Sequence, residues 1–215
     1  MNENIFAKFR SRVIPALRRR NYKRKSKRLT NRTPSIIANN CLGTFVYHNF
    51  GLEFRSPTIN LTFKDSDFIR FVQNLKGYLS AELVDISDAS RKYPVGELEY
   101  NGEKVEIYFV HYETFREAKE KWDERKQRVD FSNIFIIFQG VSVSEDNLER
   151  FDALPYENKM MILKDNPKNS KNVRTLKVLA REDYRPGEIL NYKSQYSLRR
   201  YMDDIDYVGF LNRKK

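Results

Sequence analysis

Asn133-Ile134-Phe135-Ile136-Ile137-Phe138 is the most apolar stretch of this 215-residue chain. Five β-branched or aromatic residues in succession, with no polar residue between them, describe a strand buried on both faces. Such a strand lies inside a sheet covered by helices. The fold class that follows is α/β: a three-layer domain with a mixed, largely parallel central sheet.

The flanking segments keep to that plan. Downstream, Ser144 opens a helix running to about Leu154, 160–163 is a further strand, 166–172 a loop, 176–179 a short strand, and 201–211 a closing helix. Upstream, 113–129 is the clearest helix, with i,i+4 pairs such as Glu117–Lys121. Asn101-Gly102, between 96–100 and 104–110, is a strong hairpin signal and argues against an all-parallel sheet. Before it, 83–86 reads as a strand and 67–79 as a helix with Phe68, Phe71, Val72, Leu75 and Leu79 on one face. Residues 58–63 read as a strand, 42–50 as a helix, and Ser35-Ile36-Ile37-Ala38, after Pro34, as the first strand.

The net charge of +11 resides in residues 1–32, which hold 12 of the 40 Lys+Arg against one acid, Glu3; the rest of the chain is balanced, 28 bases against 28 acids. The organisation is thus a basic arm, 1–32, and a neutral domain, 33–215. Ile5, Phe9, Val13 and Leu17 recur every four residues, with Phe6 and Ile14 beside them, so the arm carries an apolar helical stripe. Pro15 is expected to kink or end that helix. Arg18, Arg19, Arg20, Lys23, Arg24 and Lys25 continue it as a polybasic run. This pattern suits an anionic membrane surface, with Phe6 and Phe9 entering the interface and the cations lying on the headgroups. The competing reading is a solvated tail. Nucleic acid is the weaker partner, because Tyr22 is the one aromatic in the polybasic run that could stack on bases. No run approaches the ~18 apolar residues of a membrane span.

One cysteine, Cys41, precludes an intramolecular disulfide and fits a reducing compartment. With two histidines and one cysteine no zinc pattern exists, and Asp203, Asp204 and Asp206 fall in an expected helix with poor ligand geometry, so no metal is predicted. Walker, GxGxxG, GxSxG and HExxH motifs are absent from the sequence.

Ligands of open α/β sheets bind outside the carboxyl ends of the strands. The first strand runs into Asn39-Asn40-Cys41 and the hairpin's return strand into His111-Tyr112. If these strands are parallel neighbours, Cys41 and His111 form a nucleophile–base pair, with Asn39 or Asn40 donating to an oxyanion. The plain alternatives are a small buried cysteine and a structural histidine. Ser56 and Thr58, entering the second strand, and Tyr93 and Tyr112 complete a candidate substrate-binding set.

The order and spacing of Asn39-Asn40-Cys41, Gly51-Leu52, Ser56-Pro57-Thr58, Asp67-Phe68-Ile69, Tyr93-Pro94-Val95-Gly96, His111-Tyr112, Lys121-Trp122, Phe151-Asp152, Leu154-Pro155-Tyr156 and Asp206-Tyr207 resemble the bacterial family of domain of unknown function nineteen-nineteen, over about Ile36 to Asn212. Its members are commonly labelled exopolysaccharide biosynthesis proteins. The resemblance implies an α/β fold and a setting in capsule or exopolysaccharide assembly; it brings no proven reaction. Leu42-Gly43-Thr44 and Gln139-Gly140 depart from the family's usual residues.

Together these readings lead to an expectation of a cytoplasmic protein, peripheral at the inner face of the membrane, transferring a group to a glycan or lipid-linked sugar. Acyl transfer is slightly favoured over glycosyl transfer, with an activated acyl or nucleotide-sugar donor and no metal. Other polysaccharide-synthesis proteins are possible partners. The alternatives are a non-enzymatic glycan-binding or scaffolding module, and a nucleic-acid-binding protein using the arm.

Overall fold

The computed structural model describes residues 3–195 and 197–213; within the first helix, side chains are described at position 11 and from position 13 onward. The chain runs α1 (Glu3–Ser26), β1 (Ser35–Ala38), α2 (Leu42–Phe50), β2 (Thr62–Phe63), α3 (Asp65–Gln73), α4 (Leu75–Ser80), β3 (Val84–Asp85), β4 (Val95–Tyr100) and β5 (Glu103–Tyr108). It continues through α5 (Phe115–Lys126), β6 (Ile134–Gln139), α6 (Glu145–Asp152), β7 (Lys159–Leu163), β8 (Val173–Thr175) and α7 (Tyr207–Leu211). Short 3-10 turns lie between β8 and α7.

The α/β class holds, but the strands form two sheets where one mixed sheet was expected. A four-stranded parallel sheet has the order β1-β6-β7-β8, with Ile37 opposite Ile136 and Ile137 opposite Met160. A four-stranded antiparallel sheet has the order β2-β5-β4-β3. The split arises because β1 pairs only with β6, while the hairpin takes β2 and β3 as its partners. The hairpin turn is as the sequence predicts: Asn101 and Gly102 both have positive φ, 53° and 77°, which Asn-Gly accepts at low cost.

β6 is an interior strand and is buried on both faces. Ile134, Ile136 and Phe138 enter a core shared with α3, α5, α6 and the antiparallel sheet, where Phe68, Phe71 and Trp122 pack. Phe135 and Ile137 enter the opposite core with α2, α7 and Tyr22 of α1. Each such side chain withdrawn from water contributes about 1.5–3 kcal/mol. Gly43 allows α2 to lie close on β1, since a Cβ there would stand 2.7 Å from that of Ala38.

Four elements depart most from the sequence reading. The strand expected at 58–63 shrinks to Thr62–Phe63, because Asn60 takes a positive φ of 60° and interrupts the extended backbone. The helix expected at 67–79 breaks at Asn74, whose φ and ψ of −123° and 38° are not helical. The strand expected at 176–179 starts earlier, as β8, and 177–180 is a 3-10 turn. The closing helix is interrupted at Ile205, after which Asp206 caps α7 by accepting from the Gly209 N–H at 3.0 Å.

The arm is not separate from the domain over its second half. α1 continues through Pro15 to Ser26. Arg18, Tyr22 and Leu29 are buried. Arg18, expected at a membrane, faces inward: it donates to Asp203 at 2.9 Å and to Asn49 at 2.9 Å, and its guanidinium lies 4.5 Å from the Tyr22 ring centroid. Tyr22 packs edge-on to Phe50 and its hydroxyl also donates to Asp203. Spacing of i and i+4 sets these two residues on one face; Arg19, Arg20, Lys23 and Arg24 are left exposed, and Lys25 is half-buried with its ammonium over the Tyr22 ring. The side chains of Phe6 and Phe9 lie outside those described.

Asp203→Ala leaves Arg18 buried without its carboxylate. The expected loss is about 3–5 kcal/mol of unfolding free energy by denaturant titration. A loss under about 1 kcal/mol would show that α1 is not pinned by this pair.

Candidate functional site

The four parallel strands end at one edge of their sheet, and the chain after β8 returns across that edge. A cleft of about 280 Å³ lies there. Asn40 and Cys41 enter it from the end of β1, Leu42 from the start of α2, Thr62 from β2, Gln139-Gly140-Val141 from the end of β6, and Tyr184, Pro186, Gly187, Ile189 and Leu190 from the returning segment. Gly187, at φ 92°, permits the turn into the 3-10 helix Glu188–Leu190.

Its frame is a reciprocal amide clamp. The Asn39 side chain accepts from the Gln139 N–H at 2.9 Å and donates to the Gln139 carbonyl at 3.1 Å. The Asn39 carbonyl accepts from the Phe63 N–H at 2.9 Å and from the Thr62 hydroxyl at 3.2 Å, which ties β2 to the same point. Asn40 donates to both oxygens of Gln139, at 2.9 and 3.2 Å, and accepts from the Leu42 N–H at 3.0 Å, closing the first turn of α2. The amides are therefore held in fixed orientations at the cleft wall.

The lining is neutral: none of its described residues carries a formal charge. Burial pushes the Cys41 thiol up to about 11. Its Sγ lies 3.8 Å from the Leu61 carbonyl, a thiol donor contact and not a contact with a base. Tyr184 is raised as well, burial being the main cause.

The sequence candidates separate on this geometry. Asn40 and Cys41 line the cleft; Asn39 is buried behind it as the clamp. Ser56 and Thr58 are wholly buried and bonded to each other at 2.9 Å, and Thr58 accepts from the Ala38 N–H at 3.0 Å, so they brace β1. Tyr112 is tied down, donating to the Ile59 carbonyl at 3.1 Å and accepting from Arg125 at 2.7 Å. Tyr93 is half-buried, edge-on to Tyr108 in the loop before β4. His111 is exposed and does not line the cleft. It follows β5, which belongs to the antiparallel sheet, so the parallel juxtaposition that would join it to Cys41 does not occur.

Gln139 and Thr62 are functional candidates that sequence reasoning missed. The carboxyl-end rule applied to the 133–138 strand would have found Gln139. Tyr184 comes from irregular chain and had no pattern to announce it. Two Asp-x-Asp triplets, Asp65-Ser66-Asp67 and Asp204-Ile205-Asp206, also stand outside the cleft: Asp67 pairs with Arg70, Asp204 with Lys193 and Arg199, and Asp206 caps α7.

A Cys41 thiol held above its ordinary value predicts slow alkylation by iodoacetamide at pH 7, rising with a midpoint above pH 9. A midpoint near the ordinary value of about 8.5 would contradict the burial. The linked stability has a definite sign. The unfolded thiol ionises first, so the fold's stability is intact below about pH 8.5 and declines as pH rises through about 11.

Comparison with known proteins places these features in a family. The profile of a domain of unknown function, DUF1919, matches residues 14–212. An uncharacterised protein of Haemophilus influenzae is 32% identical over 210 residues, spanning 97% of this chain and 98% of that protein. The matched region includes the half of α1 that packs on the domain.

Proposed function

Taking as premise that the chain belongs to the DUF1919 family, we propose that it acts in bacterial surface-polysaccharide assembly, holding a sugar in the carboxyl-end cleft as acceptor for group transfer. The observation that carries this reading is the chemistry of the lining. The side-chain oxygens of Asn40, Gln139 and Thr62 keep lone pairs that can accept from a ligand and the Gln139 amide nitrogen can donate, while Tyr184, Pro186, Ile189 and Leu190 supply an apolar face. A sugar ring has that mixture, hydroxyls at its rim and C–H groups on its faces. The neutral lining offers no cation for the diphosphate of a nucleotide sugar. The thiolate route to acyl transfer also loses support, since burial holds the Cys41 thiol above its ordinary value and its Sγ contacts the Leu61 carbonyl, which is not a base.

The test uses a deletion strain complemented with wild-type protein or with Asn40→Ala. Surface polysaccharide from the deletion is expected to lack one sugar or substituent by NMR. The Asn40→Ala protein, soluble and folded, should restore about a fifth of it or less, the loss of a polar partner at the half-buried cleft wall being worth about 1–3 kcal/mol. A polymer unchanged by the deletion would reject the assignment.

The exposed face of α1 supports docking at an anionic membrane. Arg20, Lys23 and Arg24 project from it, and Leu17 is exposed on the preceding turn. Each cation contributes about 1 kcal/mol near such a surface. Among the described residues no helix is long and apolar enough to cross a membrane. Cosedimentation with vesicles containing phosphatidylglycerol, absent with phosphatidylcholine alone and lost in an Arg20/Lys23/Arg24→Gln variant, is the expected result. Equal behaviour of that variant and wild type would contradict docking through this face.

A further inference from the structure

A second concavity, of about 270 Å³, lies between α1, α2 and the bridged pair Tyr192 and Arg200. Its chemistry is the opposite of the cleft's. Arg18 and Arg19 from α1 and Arg200 from the far wall surround it, and Phe45, Tyr192 and Pro15 form its apolar surfaces. The Arg18 charge is answered by Asp203. Arg19 and Arg200 have no carboxylate partner among the described residues, although the neighbouring cations do: Lys193 and Arg199 are both paired with Asp204.

Arg200 is prepared for an anion. Its guanidinium is held over two rings, 5.2 Å from the Tyr192 centroid and 5.7 Å from that of Phe45, and Tyr192 and Arg200 bridge across the backbone. Its Nε is shielded from solvent and has no hydrogen-bond partner. A fixed, planar, unpaired guanidinium beside a second unpaired arginine is the arrangement that phosphate oxygens satisfy in bidentate fashion. Leaving such a donor buried and unmatched has a cost that a bound anion removes.

We propose that this groove binds a phosphate or diphosphate group, held by Arg200 and Arg19, with the Pro15, Phe45 and Tyr192 surfaces receiving an attached hydrocarbon chain. The inference is independent of the sugar reading of the cleft, because it rests on different residues and a different charge.

Calorimetry on the full chain tests it with two probes, inorganic pyrophosphate and farnesyl diphosphate in non-ionic micelles. Both are expected to bind. Arg19→Gln, at an exposed position, and Arg200→Gln should each weaken pyrophosphate by about tenfold, the worth of one charge-assisted hydrogen bond. Lys27→Gln, exposed in the turn that follows α1 and outside the groove, should change it less than twofold, and Asn40→Ala should leave it as in wild type. Tighter binding of the farnesyl compound assigns the groove to a lipid-borne phosphate; equal binding assigns it to a soluble one. If neither probe binds, or if Arg19→Gln and a folded Arg200→Gln both bind pyrophosphate as wild type does, the groove is not a phosphate site.

Discussion

The positions of Asn40, Cys41, Thr62 and Gln139 in the cleft depend on how Asn39 is held. Its backbone N–H continues the parallel ladder to the Ile137 carbonyl, its side chain clasps Gln139 in both directions, and its carbonyl receives Phe63 and Thr62 from the antiparallel sheet. One buried residue thus joins the end of β1, the end of β6 and the start of the second sheet. In a low-dielectric site, amide groups so matched hold one arrangement, and any unmatched alternative is costly. The neighbouring residues Asn40 and Cys41, and with them the first turn of α2, inherit their placement from this knot.

A second knot, the Arg18–Asp203–Tyr22 cluster, organises the other end of α2. There α1 is fastened to the chain preceding α7, and the exposed cations of α1 are left on the outside by helical periodicity. α2 runs from the neutral cleft at Leu42 to the basic groove at His48 and Asn49. The groove also meets α2 at Phe45, so at 1.5 Å per residue the residues of α2 that line the two concavities are about 5–10 Å apart along its axis.

Much of the fold was legible because it depends on local chemistry. The doubly buried β6, the Asn101-Gly102 hairpin, the capping serine of α6 and the helix at 42–50 all follow from side-chain pattern and turn residues. What the sequence did not disclose is pairing. Whether β5 lies beside β1 or beside β2 is a non-local choice, and it decided the fate of the Cys41–His111 idea. The breaks at Asn60, Asn74 and Ile205 were hidden for a related reason. Apolar periodicity continues across each, and only backbone dihedrals and local side-chain bonds interrupt the element. Within the site, Asn40 and Cys41 were visible from the carboxyl-end rule, whereas Tyr184 arrives from irregular chain. Charge composition alone also does not show that Arg18 and Tyr22 of the basic arm point inward.

The most direct measurement is a titration of the isotopically labelled full chain with monosaccharides, following the side-chain amide resonances of Asn40 and Gln139 by NMR. The account predicts that a neutral sugar shifts both, together with the Thr62 signals, and leaves those of the Arg200 groove unmoved. Absence of any shift across hexoses and hexosamines, or shifts confined to residues outside the cleft, would contradict the claim that this neutral cleft holds a sugar.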